Sequence, residues 1–530
     1  MYSYCLPAYY ALFLPAVVLA YSIIPQRFRW AVLLGASYAF FWAISGKLLV
    51  FLLIATAIIY LAGLALGAMQ EKRSAAVKAA ERAERKAIKA LYQTKQRRVL
   101  TLAVLALLGM LLVLKYAGFF GKNVNALLGL LNLPQNFPVL KFALPIGISF
   151  YTLQAVSYLI DVYRGTVAPD RNPARLALYM SFFPGLMEGP ICRYSDTAAQ
   201  LWAGKPVTWH NLTFGIQRIL FGLTKKMVIA DRLNPMILEV FDNYGSHTGG
   251  GILLGILGYT CQLYMEFSGT IDVVIGSAEI FGVTLPENFR HPFFSKSISE
   301  FWTRWHITLG TWFKDYIFYP VSLSGPLKKL TSNARKKLGN HFGPLCASAI
   351  ALFCVWFSNG LWHGAAWTYI FFGLYHFFFI LCGNLFDPLT KWSTGKLHIN
   401  RQSKVWHAWQ VFRTFVLVNI GEMIFRANSL TDAFQMFRRM IEHFTLETYF
   451  DGNIFTMGLS RSDAAIVAVA VVLVLIVSIL QERGVRIRET VAGWALPARW
   501  ACYLALILFL IIFGAYGPAY SPVDPIYAGF

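Results

Sequence analysis

Runs of apolar residues that approach or exceed the ~20 needed to carry a helix across a bilayer recur along most of this sequence. Pro7 to Ile24, Leu48 to Met69, Val99 to Phe120 and Ala464 to Leu480 are examples. With 57% hydrophobic and only 14% charged residues, the chain falls outside the range of soluble domains. The pattern predicts an all-α polytopic membrane protein with about ten to twelve transmembrane helices. The first run is followed by Ile24-Pro25-Gln26-Arg27 rather than by a small-residue cleavage site, so it reads as a retained span. The seven cysteines (Cys5, Cys192, Cys261, Cys346, Cys354, Cys382 and Cys502) form no CxxC pair. They point to neither a disulfide framework nor a zinc site.

A formal charge of +21 would fit a nucleic-acid partner, but the basic residues fall mainly in loops between apolar runs. The positive-inside rule accounts for them, and no nucleic acid is expected. Glu71 to Arg98 holds ten Lys or Arg against three Glu, with alanine spacing that favours helix, and reads as cytoplasmic. A second basic stretch, Lys328-Lys329 through Arg335-Lys336-Lys337, reads the same way, lying against anionic lipid headgroups. The alternative for either run is a docking surface for an acidic carrier or partner. Counting back from the first basic loop puts the N-terminus outside.

No linker separates two folding units and no internal repeat of the transporter type is visible, so residues 1–530 read as a single membrane domain. Residues 1–138 are plain spans with the basic segment 70–98, residues 139–430 form the core, and 431–530 are C-terminal spans. In the middle third, Glu188, Glu266 and Asp272 lie within apolar context. Each costs about 2.5 to 3.5 kcal/mol or more at mid-bilayer, so they should face protein or a wet cavity. Pro184, Gly185, Gly189 and Pro190 predict bent or re-entrant backbone.

From Leu285 the chain reads LPENFRHPFFSKSISEFWTRWHITLGTWFKDYIFYP, too charged for a lipid-facing span and too aromatic for an ordinary loop. Ser297 and Glu300 have capping-box spacing, which predicts a helix from Ile298. Phe301, Trp302, Trp305, Leu309, Trp312 and Tyr316 then recur at helical spacing, predicting one amphipathic helix with His306 beside its apolar stripe. A plain membrane-surface helix fits that stripe equally well, with Asp315 paired to Arg304 or Lys314.

Walker, dinucleotide, HExxH and GxSxG patterns are all missing, so ATP, NAD, metal and serine-hydrolase chemistry have no support, and no metal is expected. What remains is two histidines, His306 and His363, in the two most aromatic and polar-interrupted membrane segments. A buried neutral imidazole can take a proton from a hydroxyl and return it to a leaving group, as transfer of an acyl group to an alcohol requires. Asn359, the Trp362 or Trp305 indole, or His306 could meet the oxyanion that develops. The plainer reading of His363 alone is an interhelical hydrogen bond.

Trp302 to Tyr316 has the form WxxWHxxLxxWxxDY, and Leu361 to Gly364 reads LWHG. In combination these resemble the membrane-bound O-acyltransferase family, in particular its bacterial alginate O-acetylation and teichoic acid D-alanylation branch. LPENF at Leu285 to Phe289, Phe267-Ser268-Gly269 followed by Asp272, the block from Pro145 to Gln154, and Pro522 to Tyr527 extend the likeness over most of the chain. Glu266 departs from the Asp common in the alginate branch, and is carried over only as a structural or cavity-lining acid.

The resemblance implies a helical funnel, or central tunnel, with re-entrant and interfacial helices. His363 would be the general base, with His306 a second acid/base or orienting group. Trp302, Trp305 and Trp362 would shape the tunnel, Asp315 and Tyr316 would line it, and Asn359 would orient His363. No cofactor would be permanently bound. The donor would be acetyl-CoA or an acyl-carrier thioester arriving from the cytoplasm, and the acceptor an exported polysaccharide or cell-wall polymer reached with an extracytoplasmic partner. The setting would be a bacterial plasma membrane. The rival classes are a transporter or channel with an acidic path, which internal repeats would favour, and a non-catalytic export scaffold, which would not need both histidines.

Overall fold

The computed structural model describes residues 7–516, so Cys5 and the Pro522 to Tyr527 block lie outside the described residues. The described residues are mostly helical, and the only strand-type pairing among them is one isolated antiparallel bridge between Phe289 and Trp305. Six helical stretches within it are long and apolar enough to cross a membrane, and one of these, Gln26–Ala79, contains two successive helices. Gly249–Ile280 and Lys404–Arg426 have the length as well, but carry the polar and charged residues that mark the middle of the sequence. Contacts among the described residues gather into two compact units, residues 7–216 with 274–286, and residues 217–273 with 287–516.

In the first unit, helices α1 (Leu49–Ala79) and α2 (Arg85–Leu130) form a hairpin. Although α1 is apolar around its whole circumference for its first five turns, only one stripe is buried: Leu52, Ala55, Ile59, Gly63 and Leu66. Leu53 and Leu61 on the other side are exposed, as expected of a helix whose outer face meets lipid. Gly63 lets Tyr158 pack closely, since a Cβ there would lie 3.2 Å from the Tyr158 hydroxyl oxygen and 3.3 Å from its ring. The predicted bent backbone is present. Helix Pro173–Ser181 ends at a 3-10 turn, Phe183–Gly185, inside the unit. Its freed amides are satisfied by protein: Phe183 N donates to Ser37 Oγ at 3.0 Å and Gly185 N to Phe182 O at 3.0 Å. Glu188 is buried in this segment, as its cost in lipid demands.

The second unit contains most of helix α3 (Gly249–Ile280), the short helices α4 (Ile298–Arg304) and α5 (Ile307–Phe313), and the spans α6 (Gly325–His363), α7 (Trp367–Leu385), α8 (Lys404–Arg426) and α9 (Arg461–Glu482). Helix α6 breaks at Gly339, whose φ of 79° lies in the left-handed region. Beyond the break, α6 packs on α7 through reciprocal glycines. A Cβ on Gly360 would lie 2.5 Å from Tyr369 O, and one on Gly373 2.3 Å from Trp356 O. Small residues at these two positions let the backbones touch, as in membrane helix pairs generally.

Candidate active site

The aromatic segment after Leu285 departs from a single amphipathic helix. Ser297 caps α4 as expected, its Oγ accepting from Glu300 N at 3.1 Å. The helix stops at Arg304, however: Trp305 is extended and His306 takes φ +46°, ψ 51°, an uncommon conformation for a residue with a side chain. The cause is backbone pairing with the LPENF segment. Arg290 N donates to Arg304 O at 2.9 Å, and Ile307 N to Asn288 O at 3.0 Å. Asn288 Oδ1 then accepts from Thr308 N at 3.0 Å and from Thr308 Oγ1 at 2.9 Å, starting α5, and lies 3.3 Å from His306 Nδ1. Two bonded flanks thus hold the strained residue in place.

The surface-helix alternative also fails, because Trp305, His306 and Trp312 are buried in protein. Arg304 pairs with Glu300 and Glu482 rather than with Asp315. Asp315 is half-buried in the π-helix Lys314–Phe318, where Tyr316 packs at a tilt against Trp312 with ring centres 5.1 Å apart.

His363 is the last residue of α6 and is buried. Aromatic rings surround it: Trp362 at 5.2 Å, Phe425 of α8 at 5.2 Å and Phe372 of α7 at 6.0 Å between centres. Trp362 also meets the His306 ring at 5.7 Å, and Phe267 of α3 closes on His306 at 4.9 Å. The structure therefore brings both predicted histidines to one tryptophan, although 57 residues separate them in sequence. Trp302 stands one ring farther away, against Phe372, Trp356 and His376. The orienting hydrogen bond expected from Asn359 is not formed: its side chain is buried one turn before His363, but Oδ1 accepts no bond.

A cavity of about 410 Å³ lies in the same unit, lined among others by Arg218, Lys225, Tyr264, Asp272, Phe289 and Arg290. On its wall, Lys225 Nζ and Arg218 Nε both reach Asp272, at 2.6 and 3.0 Å, and Arg218 continues to Glu287 at 2.6 Å. Asp272 thus lines the cavity, as does Glu287. Glu266 is fully buried, 3.9 Å from Lys226, and accepts from Thr270 at 3.4 Å, which makes it a structural acid. Phe289 lines the cavity and also packs at 4.9 Å on Phe267, the ring beside His306. The Phe289 and Phe267 rings therefore stand between the charged cavity and His306. His291 also lines this cavity, and its burial holds the imidazole below its ordinary pKa.

Sequence reading gave no role to Asn288, Phe267 or His376. Asn288 and Phe267 lie inside quoted motifs. His376, which accepts from Trp302 Nε1 at 3.2 Å, is hidden in the aromatic run of α7.

A helical membrane chain that converges two buried histidines and an aromatic clamp beside a charged cavity defines a membrane enzyme suited to proton-assisted group transfer. Residues 170–335 match the model of MBOAT, the membrane-bound O-acyltransferase family. The probable alginate O-acetylase AlgI of Azotobacter vinelandii is 32% identical over 431 residues, which is 81% of this chain and 76% of that protein. The peptidoglycan O-acetyltransferase of Helicobacter pylori is 30% identical, covering 62% of this chain and 61% of its own length. The teichoic acid D-alanyltransferase of Bacillus subtilis is 30% identical, covering 47% and 63%. The chain belongs to the membrane-bound O-acyltransferase family and is an O-acyltransferase of many membrane helices.

Proposed function

We propose that this enzyme moves a short acyl group, acetyl, from a thioester donor on the cytoplasmic face of a bacterial plasma membrane toward a polysaccharide or cell-wall polymer outside, with an extracytoplasmic partner completing delivery. The observation that carries this reading is the single tryptophan ring, Trp362, shared by His306 and His363 in a buried aromatic setting. The acetyl-transferring relatives from Azotobacter and Helicobacter favour acetyl. D-alanyl transfer is the second reading, supported by the Bacillus relative.

His363 takes the proton of the acceptor hydroxyl as its oxygen attacks the thioester carbonyl carbon. The carbon–oxygen bond forms and the carbonyl electron pair moves onto oxygen, where the His306 or Trp362 ring N–H can meet the charge. Collapse breaks the carbon–sulfur bond, and the proton on His363 passes to the departing thiolate. The rings of Trp362, Phe372 and Phe425 around His363 restrict water, which would otherwise compete for the thioester. Acetyl-CoA and an acyl carrier both bear a pantetheine phosphate. The cavity cation Arg290 suits it, since Arg218 and Lys225 are already matched by Asp272 and Glu287. No permanently bound cofactor is needed. The test is His363→Ala in cells: the variant inserts in the membrane at wild-type level but leaves the polymer unacetylated. Normal acetylation by that variant overturns the reading.

A further inference from the structure

We infer that the basic hairpin of the first unit is a docking arm for an acidic, soluble acyl-carrier protein. If the hydrocarbon edge is set at Met69 on α1 and Val99 on α2, ten residues of α1 and fourteen of α2 continue as helix beyond it. At 1.5 Å per residue these extensions reach roughly 15 and 21 Å. The headgroup layer takes up only about 5 to 8 Å of that. Even with a tilt of about 20°, the start of α2 stands roughly 12 Å or more beyond the headgroup layer, farther than the Debye length of about 8 Å. The arm is thus held out in water.

The extension is built rather than frayed. Gln96 of α2 is buried against α1, and Arg73 of α1 donates to its Oε1 at 3.3 Å. At the tip, Lys78, Arg82, Arg85, Lys86 and Lys89 are all exposed, and among the described residues none of them makes an ion pair. Two of these cations open α2, where the helix dipole favours acids, and Glu84 before them makes no capping bond. Local electrostatics would select against that arrangement. A partner that brings carboxylates reverses the balance.

Lipid headgroups are too near the bilayer to reach the tip, and a donor the size of CoA has no use for an arm of this length. A thioester borne on a protein does, and the identity of the partner as an acyl carrier rests on the thioester transfer proposed above. The basic run of α6, Lys328 to Lys337, provides an internal comparison.

The experiment uses the full chain in nanodiscs of neutral phosphatidylcholine and measures binding of fluorescent holo-acyl carrier protein with a free thiol, so that no turnover enters. Wild-type protein binds, and the affinity falls with salt. The quadruple variant Arg82→Glu, Arg85→Glu, Lys86→Glu, Lys89→Glu binds roughly tenfold more weakly or worse, whereas Lys328→Glu with Lys329→Glu binds as wild type. Acetyl transfer from acetyl-CoA by the quadruple variant stays at the wild-type rate. Equal binding by the quadruple variant, absence of binding by the wild type, or a hairpin effect seen only with phosphatidylglycerol vesicles each overturns the docking arm. A wild-type chain that binds carrier but transfers no acyl group from any thioester overturns the transfer reading instead.

Discussion

The second unit holds two polar centres of opposite character, one aromatic layer apart. Around His306 and His363 the walls are rings, and within hydrogen-bonding reach of His306 Nδ1 stands the neutral amide of Asn288. Around Asp272 the walls are ions, chained from Lys225 through Asp272 and Arg218 to Glu287. A dry site intensifies every dipole at a reacting atom but holds a charged ligand poorly. An ion-lined cavity does the reverse. Keeping the two apart lets binding and proton transfer be set independently, with Phe267 and Phe289 as the partition.

The largest expected effect breaks the dry centre. His363→Ala should lower acyl transfer by about 10² to 10⁴ fold, read as acetyl on isolated polymer, while thermal stability in detergent changes little by comparison. Next comes the ionic centre, with the opposite signature. Asp272→Asn leaves Lys225 and Arg218 without their shared anion and should cost about 3 to 5 kcal/mol of stability, seen as a lower unfolding midpoint. If it lowers the rate while the midpoint stays put, the carboxylate acts in the reaction rather than in the frame.

Asn288→Ala should reduce kcat by about 10² fold or less, by releasing the His306 turn, and Asn288→Asp should recover part of it because an acceptor oxygen for Thr308 remains. Equal losses in both variants would deny the positioning role. The smallest effect concerns His291. Since its pKa lies below the ordinary 6.5, it is neutral at pH 7 and gains charge only in more acid solution. The KM for an anionic donor should therefore be flat above pH 6.5 and fall below it, and His291→Gln should remove that acid-side decrease. A profile unchanged by the substitution would place the titration elsewhere.

Much of the architecture could be read from residues near one another in sequence. Hydropathy marked α1, α2 and α9, and the Ser297 cap fixed the start of α4, because both signals act over one or two helical turns. The break at Trp305 and His306 could not be read that way. The aromatic stripe continues through it at helical spacing, and what interrupts the helix is pairing with Asn288 and Arg290, some 15 residues upstream. The ion chain escaped for the same reason, since Arg218 and Asp272 are 54 residues apart and nothing local links them. The two histidines were found through motif likeness. Their meeting at Trp362, and the third histidine against Trp302, are products of packing.

The reciprocal glycines of α6 and α7 bear on how such an enzyme can diversify. Gly360 lies three residues before His363, and Gly373 of the partner helix follows Phe372 and faces the Trp356 carbonyl, so a side chain at either would wedge the two rods apart and swing the buried base along with them. The gauge between the rods is in effect machined. Substitution can resurface the walls that an acyl chain meets, at Phe372 or Phe425, without altering where the base stands. Relatives that carry different groups would be expected to differ in the upholstery and to agree in the chassis.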